Sequence, residues 1–266
     1  MFDDYLARWS LSPDGEPIVT PSSRLLPVRQ DGVPAMLKIA FGEEERRGAA
    51  VMVWWCGEGA ARVLAHDGDA LLMERAIGGA SLAEMADSGH DDEASRILCA
   101  AAARLHAPRD RPLPPTLVPL TRWFKELAPA ASRYGSVLRQ ATATARELLR
   151  EPQDVVLLHG DIHHGNILDG GPRGWLAIDP KGLAGERGFD FANLFCNPDL
   201  AVVTAPGRLE RQADVVAAAT GLERTRLLKW VLAYAGLSAA WTLGDGDDAA
   251  LALAVAEFAA AELSKG

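Results

Sequence analysis

The stretch L-L-H-G-D-I-H-H-G-N-I-L, Leu157 to Leu168, sets His159, Gly160, Asp161, His163, His164 and Asn166 between two apolar runs. V-V-L-L before it and I-L after it read as strand ends, so the polar residues fall on a loop between strands. Two chemistries compete for them. Histidines with a carboxylate suggest zinc ligands. However, Asp161 stands where a scrambled H-x-H-x-D-H hydrolase motif needs a histidine, and a histidine stands where it needs the aspartate. The other histidines, His66, His90 and His106, all lie upstream, so none can complete the site from behind. The alternative uses hard oxygen donors, which magnesium prefers. After Asn166 come I-L, the turn D-G-G-P-R-G and W-L-A-I-D, which ends at Asp179. Two short strands around that turn make a hairpin with Asn166 and Asp179 at one end and Asp161 beside them. Two oxygen ligands and a free carboxylate are the parts of a phosphoryl-transfer site. The metal neutralises phosphate charge, and the carboxylate accepts the hydroxyl proton.

The rest of the chain bounds what can surround such a loop. With 266 residues, 48% of them hydrophobic, it can bury a sizeable core as one large domain or two lobes. Mean hydropathy is near zero, and no apolar run approaches the roughly 18 residues of a membrane span, so a soluble protein without a membrane partner is expected. The start, M-F-D-D-Y-L-A-R-W-S, lacks the apolar region of a secretion signal. Cys56, Cys99 and Cys196 are odd in number and widely spaced, which suits reduced thiols in the cytoplasm. The net charge of −9 argues against nucleic acid and is compatible with a small cationic ligand.

The first 75 residues are strand-rich. Ile18 to Thr20, Leu25 to Arg29, Pro34 to Ala40, Ala60 to His66 and Ala70 to Arg75 are strand candidates, with turns at Asp31-Gly32 and D-G-D. Glu43 to Trp55 reads as a helix with acids in its first turn. Helices then dominate. One is expected from a cap at Asp91 to a stop at Pro108; others cover Thr121 to Ala131, Ser136 to Arg150, Arg224 to Leu243 and Asp248 to Ser264. Arg224 to Leu243 is apolar nearly all round, as a buried helix is.

H-G-D-x-x-x-x-N followed by I-D-P resembles the signature of the aminoglycoside phosphotransferases, relatives of the protein kinases. P-A-M-L-K-I-A has the shape of the kinase V-A-I-K strand, and L-L-M-E-R-A looks like the inter-lobe hinge. A-R-L-H-A, G-W-L-A-I-D-P, G-F-D-F-A-N and G-L-S-A-A-W look like the streptomycin 6-phosphotransferase branch, the aminoglycoside and hydroxyurea resistance kinases. The resemblance covers nearly the whole chain. It implies an α+β, two-lobed protein-kinase-like fold: a small β-rich nucleotide-binding lobe over residues 1–75 and a larger helical catalytic and substrate-binding lobe over 76–266. The hinge would lie about residues 74–79. It further implies a monomeric cytoplasmic enzyme that uses ATP and Mg2+ to phosphorylate streptomycin at the 6-hydroxyl and so confers resistance. Rival readings are a metabolite kinase of the same fold, acting on a sugar, a choline-like alcohol or hydroxyurea, and a pseudokinase that only binds nucleotide. Retention of Lys38, Asp161, Asn166 and Asp179 together argues against the last, since a binding module needs no base.

Carried over residue by residue, the resemblance makes Asp161 the catalytic base and Asn166 and Asp179 the metal ligands. Lys38 would bind the α- and β-phosphates, with Glu45 as its helix partner among Glu43, Glu44 and Glu45. T-P-S-S-R-L-L takes the place of the glycine-rich loop but has no G-x-G-x-x-G, so Ser22 and Ser23 are the phosphate-loop candidates. The backbone at Glu74 and Ala76 would bind adenine. His159 would brace the loop. His163, His164, Glu186, Asp190 and Asp199 are the candidates for the cationic substrate, with Asp190 first a tie between loops. Lys181, after Asp179-Pro180, reaches toward phosphate.

Overall fold

The computed structural model describes residues 2–265. Its first lobe is built on β-strands. Helix α1 (Asp3–Arg8) precedes β1 (Leu11–Pro13), β2 (Ile18–Val19), β3 (Ser23–Gln30) and β4 (Val33–Ala40). Helix α2 (Glu43–Trp55) follows, then β5 (Val63–Asp67) and β6 (Ala70–Glu74). The six strands form one antiparallel sheet in the order β1-β3-β4-β6-β5, with β2 added alongside β3. Alternation divides its two faces. Ala70 and Leu72 of β6 join Leu11, Leu26, Val28, Ala35 and Leu37 in a small core under α1. Leu71 and Met73, one residue out of phase, face the main core.

The second lobe is mostly helical: α3 (Leu82–Met85), α4 (Asp91–His106), α5 (Leu120–Trp123), α6 (Leu127–Tyr134), α7 (Ser136–Arg150), α8 (Leu200–Val203), α9 (Arg208–Thr220), α10 (Arg224–Asp245) and α11 (Ala250–Leu263). Helix α10 runs through its centre against α7 and α11, which explains its lack of a polar face. Short strands carry the chemistry. The expected hairpin exists as β9 (Ile167–Asp169) and β10 (Trp175–Ala177), antiparallel. The V-V-L-L run is β8 (Val155–Leu158), paired antiparallel with β11 (Leu183–Glu186), which in turn lies parallel to β7 (Val118–Pro119). Among the described residues no helix is long and apolar enough to cross a membrane. Cys99 and Cys196 are buried, which pushes their thiols up to about 12.

Several expectations shift. Asp91 does not cap α4; its carboxylate takes Arg208 at 2.9 and 3.0 Å, and the N-cap position is His90. The helix expected over Thr121 to Ala131 is broken by a 3-10 turn at Phe124–Glu126, which turns Phe124 into the core against Phe189 and Trp230. Helices α1 and α9 were not expected. Helix α2 belongs to the first lobe by sequence, yet Val51, Met52 and Trp55 pack in the same core as α4 and α10.

Hydrogen bonds stitch the lobes together at the hairpin. Ala61 N–H donates to Ala177 O at 2.9 Å, Ala177 N–H to Gly59 O at 3.0 Å and Gly78 N–H to Asp169 O at 2.8 Å. A Cβ at Gly48 would collide with the Pro180 carbonyl, so only glycine lets α2 lie directly on the chain that follows Asp179.

Candidate active site

The loop between β8 and β9 is fixed from below. Asp190, 1% exposed, accepts hydrogen bonds from His159 N–H at 2.9 Å and Gly160 N–H at 2.7 Å and contacts His106 Nε2 at 2.7 Å. His159 is fully buried and stacks on Trp55. Its Nε2 donates to Ile178 O at 2.8 Å, and its Nδ1 accepts from Asp161 N–H at 3.2 Å. Burial lowers its pKa, against the pull of Asp190 and Asp161. A neutral imidazole with that tautomer thus ties the loop to the strand leading to Asp179.

Asp161 stands on top of this support. One carboxylate oxygen accepts from Asn193 Nδ2 at 2.8 Å and the other from Asn166 Nδ2 at 3.2 Å, which also donates to Asp161 O at 2.9 Å. Two amides therefore set the plane of the carboxylate. Asn166 and Asp179 meet at the hairpin mouth, where Ile178 N–H donates to Asn166 O at 2.9 Å. Asp179 sits at φ +60°, a conformation that Asp tolerates better than most residues. Burial opposes its ionisation, but Lys38 and Lys181 outweigh burial and hold its carboxyl below the ordinary value.

Lys38 leaves β4 and contacts both Asp179 Oδ1 and Glu45 Oε2. Ser22 Oγ donates to Glu45 Oε1 at 2.6 Å, tying the phosphate-loop segment to the same carboxylate. Ser23 is buried, its hydroxyl 2.9 Å from Thr20 Oγ1. Thr20, Ser22, Ser23, Lys38, Asn166 and Asp179 line one cavity of about 240 Å³. A second, of about 630 Å³, opens on the other side of the loop, where Asp161 and Lys181 face Trp123, Glu126, Tyr234 and Trp241. Partial burial opposes the charge on Lys181, yet Asp179, Asp161 and Glu44 more than offset that and raise its pKa.

Asn166 and Asp179 are the pair that could hold a divalent cation. Both offer hard oxygens, and among the described residues no group of three or more His, Cys, Asp or Glu could hold a metal. Two protein oxygens completed by water and phosphate suit magnesium.

The sequence matches the model of the aminoglycoside/hydroxyurea antibiotic resistance kinases over residues 8–246. The chain belongs to this family. Among its relatives is a streptomycin 3''-kinase of Klebsiella pneumoniae, 54% identical over 91% of this chain and 92% of the relative. A streptomycin 6-kinase of Streptomyces glaucescens is 33% identical over 96% of this chain and 88% of the relative. In fold, the chain is similar to aminoglycoside phosphotransferase APH(4)-Ia in a ternary complex with ADP and hygromycin B. That likeness has a TM-score of 0.69 at 16% identity and covers 97% and 96% of the two chains. The protein-kinase-like α+β fold read from the sequence therefore holds.

In this kinase the substrate candidates separate. His163 stays by the loop, its Nε2 4.0 Å from Asp161 Oδ2. His164 turns inward toward Asp91 and Arg208, and burial lowers its pKa to about 4. Glu186, 1% exposed, is consumed by Arg226 at 2.7 and 2.6 Å, Trp230 Nε1 at 2.7 Å and Gln153 N–H at 2.9 Å. Asp190 is committed to the loop, as its first assignment had it. Asp199 caps α8, accepting from Val202 N–H at 3.1 Å. None of His164, Glu186, Asp190 and Asp199 lines the larger cavity. Buried charges need fixed partners, and two of these carboxylates found theirs inside the fold. Glu74 pairs with Arg173 and accepts from Arg62 N–H at 2.6 Å, and Ala76 lies in the irregular segment that follows β6. The sequence reading did not single out Asn193, although G-F-D-F-A-N contains it. It also missed Trp123, Glu126, Tyr234 and Trp241, which come together through the packing of α5 and the 3-10 turn after it beside α10.

Proposed function

We propose that this kinase transfers the γ-phosphoryl group of ATP to the 3''-hydroxyl of streptomycin. The observation that carries the chemistry is Asp161, which lines the larger cavity and is oriented by Asn193 and by Asn166, a lining residue of the smaller one. The acceptor position follows the 54% relative, a 3''-kinase, in preference to the 33% relative, a 6-kinase, so the 6-hydroxyl expected from the sequence gives way.

In this reading Asp161 accepts the proton of the attacking hydroxyl. Its two amide partners stop it rotating away, which keeps the acceptor oxygen in line with the phosphorus. Lys38 binds phosphate oxygens, released in part from Asp179 and held by Glu45. Asn166 and Asp179 would hold Mg2+, which when bound neutralises the phosphate charge. The acceptor cavity does not rely on charge alone. Its walls carry Glu44, Glu126 and Asp161, but also Arg47, Arg122, Lys125 and Lys181. The indoles of Trp123 and Trp241, 5.5 Å apart and edge to face, offer a guanidinium or sugar face what carboxylates do not.

The test is incubation with Mg-ATP and streptomycin, with the product examined by mass spectrometry and phosphorus–proton NMR. A gain of one phosphoryl group at the 3''-hydroxyl is expected. Phosphate at the 6-hydroxyl would restore the earlier assignment, and no ATP-dependent gain would remove streptomycin as the acceptor.

A further inference from the structure

Lys181, read from the sequence only as reaching toward phosphate, has no part in the transfer step described above. Its Nζ lies 3.6 Å from Asp161 Oδ2, 3.5 Å from Asp179 Oδ2 and 3.6 Å from Glu44 Oε1. Charge-assisted hydrogen bonds from nitrogen run to about 2.7–2.9 Å. All three distances are longer, and only the one to Asp179 Oδ2, at 3.5 Å, reaches the limit of a hydrogen bond, so the ammonium is suspended among three carboxylates and held closely by none of them. Lys38 differs: it is in contact with both of its carboxylates and lines the smaller cavity. Lys181 lines the larger one.

The backbone under Lys181 cannot drift. Its N–H donates to His159 O at 2.7 Å. Pro180 before it lies against Gly48. Gly182 after it stands at φ +68°, where a Cβ would come within 2.8 Å of Arg47 Cβ. The side chain is therefore aimed from a fixed point, between the base carboxylate and the carboxylate at the hairpin mouth.

We propose that Lys181 is a catalytic residue whose ammonium binds the transferring phosphoryl group as it crosses from one cavity to the other. The inference rests on the phosphoryl-transfer reading above but not on which acceptor is used. In the step, the acceptor oxygen forms a bond to the γ-phosphorus as the bond from that phosphorus to the β–γ bridging oxygen breaks. The electron pair leaves with ADP, and the hydroxyl proton goes to Asp161. Charge on the moving group is spread over its three equatorial oxygens, and there is little else for the protein to stabilise. A fixed donor aimed at that charge acts in the transition state more than in the ground state. The competing role is structural: Lys181 would only screen Asp161, Asp179 and Glu44 from one another.

The two roles separate in K181M and in K181C before and after alkylation with 2-bromoethylamine, which rebuilds an ammonium on a side chain of nearly the original length. Wild type treated in the same way controls for the exposed Cys56. Loss of one preorganised donor should lower kcat about 10²-fold. KM for ATP should stay within about threefold, since the contact is not made to the bound nucleotide at rest. Antibiotic-independent ATP hydrolysis should fall in parallel, and alkylation of K181C should recover most of both rates. Turnover near wild type in K181M would overturn the proposal. So would a loss that tracks weaker Mg-ATP binding and is not recovered on alkylation, or failure of both variants to fold. If wild type hydrolyses ATP but leaves streptomycin untouched, the acceptor reading fails while the hydrolysis rates still test Lys181. If wild type does neither, phosphoryl transfer at this site fails and Lys181's role with it.

Discussion

The walls of the smaller cavity come from strands, tight loops and the first turns of α2, and its polar groups hold one another: Ser22 to Glu45, Glu45 to Lys38, Lys38 to Asp179. The larger cavity draws on α2, α5 and α10, stretches nearly two hundred residues apart in the chain (Glu44 to Trp241), and away from Asp161 its wall includes the exposed charges of Arg122, Lys125 and Glu126. Glu126, for example, is half exposed and 3.5 Å from Lys125. Charge-transfer chemistry on phosphate needs preorganised groups, whereas an acceptor site needs shape and faces that can differ between relatives. The difference suggests that substitutions on the first side and at the loop should change kcat. Substitutions on the second should change KM for the antibiotic.

The sharpest break of that contrast is at the loop they share. Asp161→Asn should lower kcat by about 10² to 10⁴, the range of a positioned acid or base. Nucleotide affinity measured by calorimetry should stay close to wild type, because Lys38, Asn166 and Asp179 remain. Turnover close to wild type would take the base away from Asp161.

Next in size is a carboxylate that belongs to neither cavity. Glu186→Ala removes the partner of Arg226 and leaves the Trp230 indole N–H unpaired in the core. Breaking a buried pair from one side costs about 3 to 5 kcal/mol. The lower end is expected, since Arg226 keeps some contact with solvent. Chemical denaturation should read that loss, while KM for streptomycin in the folded protein stays unchanged. A raised KM with intact stability would put Glu186 back among the substrate contacts.

These two carboxylates show what the sequence could and could not tell. Asp161, Asn166 and Asp179 lie within nineteen positions on one strand–loop–hairpin unit, so local geometry alone brings them together. Lys38 and Glu45 are joined by one strand end and one helix start, and the acids at 43–45 marked that start. Glu186 and Asp190 follow Asp179 just as closely, but their directions depend on long-range partners. Arg226 and Trp230 on α10 take the first and His106 on α4 takes the second, whereas Asp199 is held locally, as the cap of α8. Nothing local says whether either of those two carboxylates turns in or out. Trp123 and Trp241 were unreadable for the same reason. The 3-10 turn at Phe124–Glu126 that breaks the expected helix leaves Trp123 facing α10, and its cause is tertiary: a slot for Phe124 beside Phe189.

A smaller effect should sharpen the acceptor side. Trp241→Ala removes one of the two indoles of the larger cavity. Cation–π contacts range from about 0.5 to 2 kcal/mol, so KM for streptomycin should rise about two- to thirtyfold. KM for ATP should not move. Equal rises in both would mean that the substitution loosens the lobe and that the indole is not a substrate contact.

The smallest effect is expected at Asp199, where two explanations of one carboxylate predict different chemistry. As the cap of a four-residue helix, it accepts a hydrogen bond from Val202 N–H, and its charge is incidental. Asn caps as well as Asp, whereas Ala leaves the amide without its partner at about 0.5 to 2 kcal/mol. The low end applies here, because α8 is short and the bond is exposed, so water can replace it. Asp199→Ala should therefore lower the melting temperature by about 1 to 3 °C, and Asp199→Asn should leave it nearly unchanged. A substrate contact to a guanidinium inverts the order. It needs the negative charge, so Asp199→Asn would raise KM for streptomycin as much as Asp199→Ala does, with no change in melting. Measuring both variants by both readouts separates the cap from the contact, and the cap predicts a shift in one readout of one variant only.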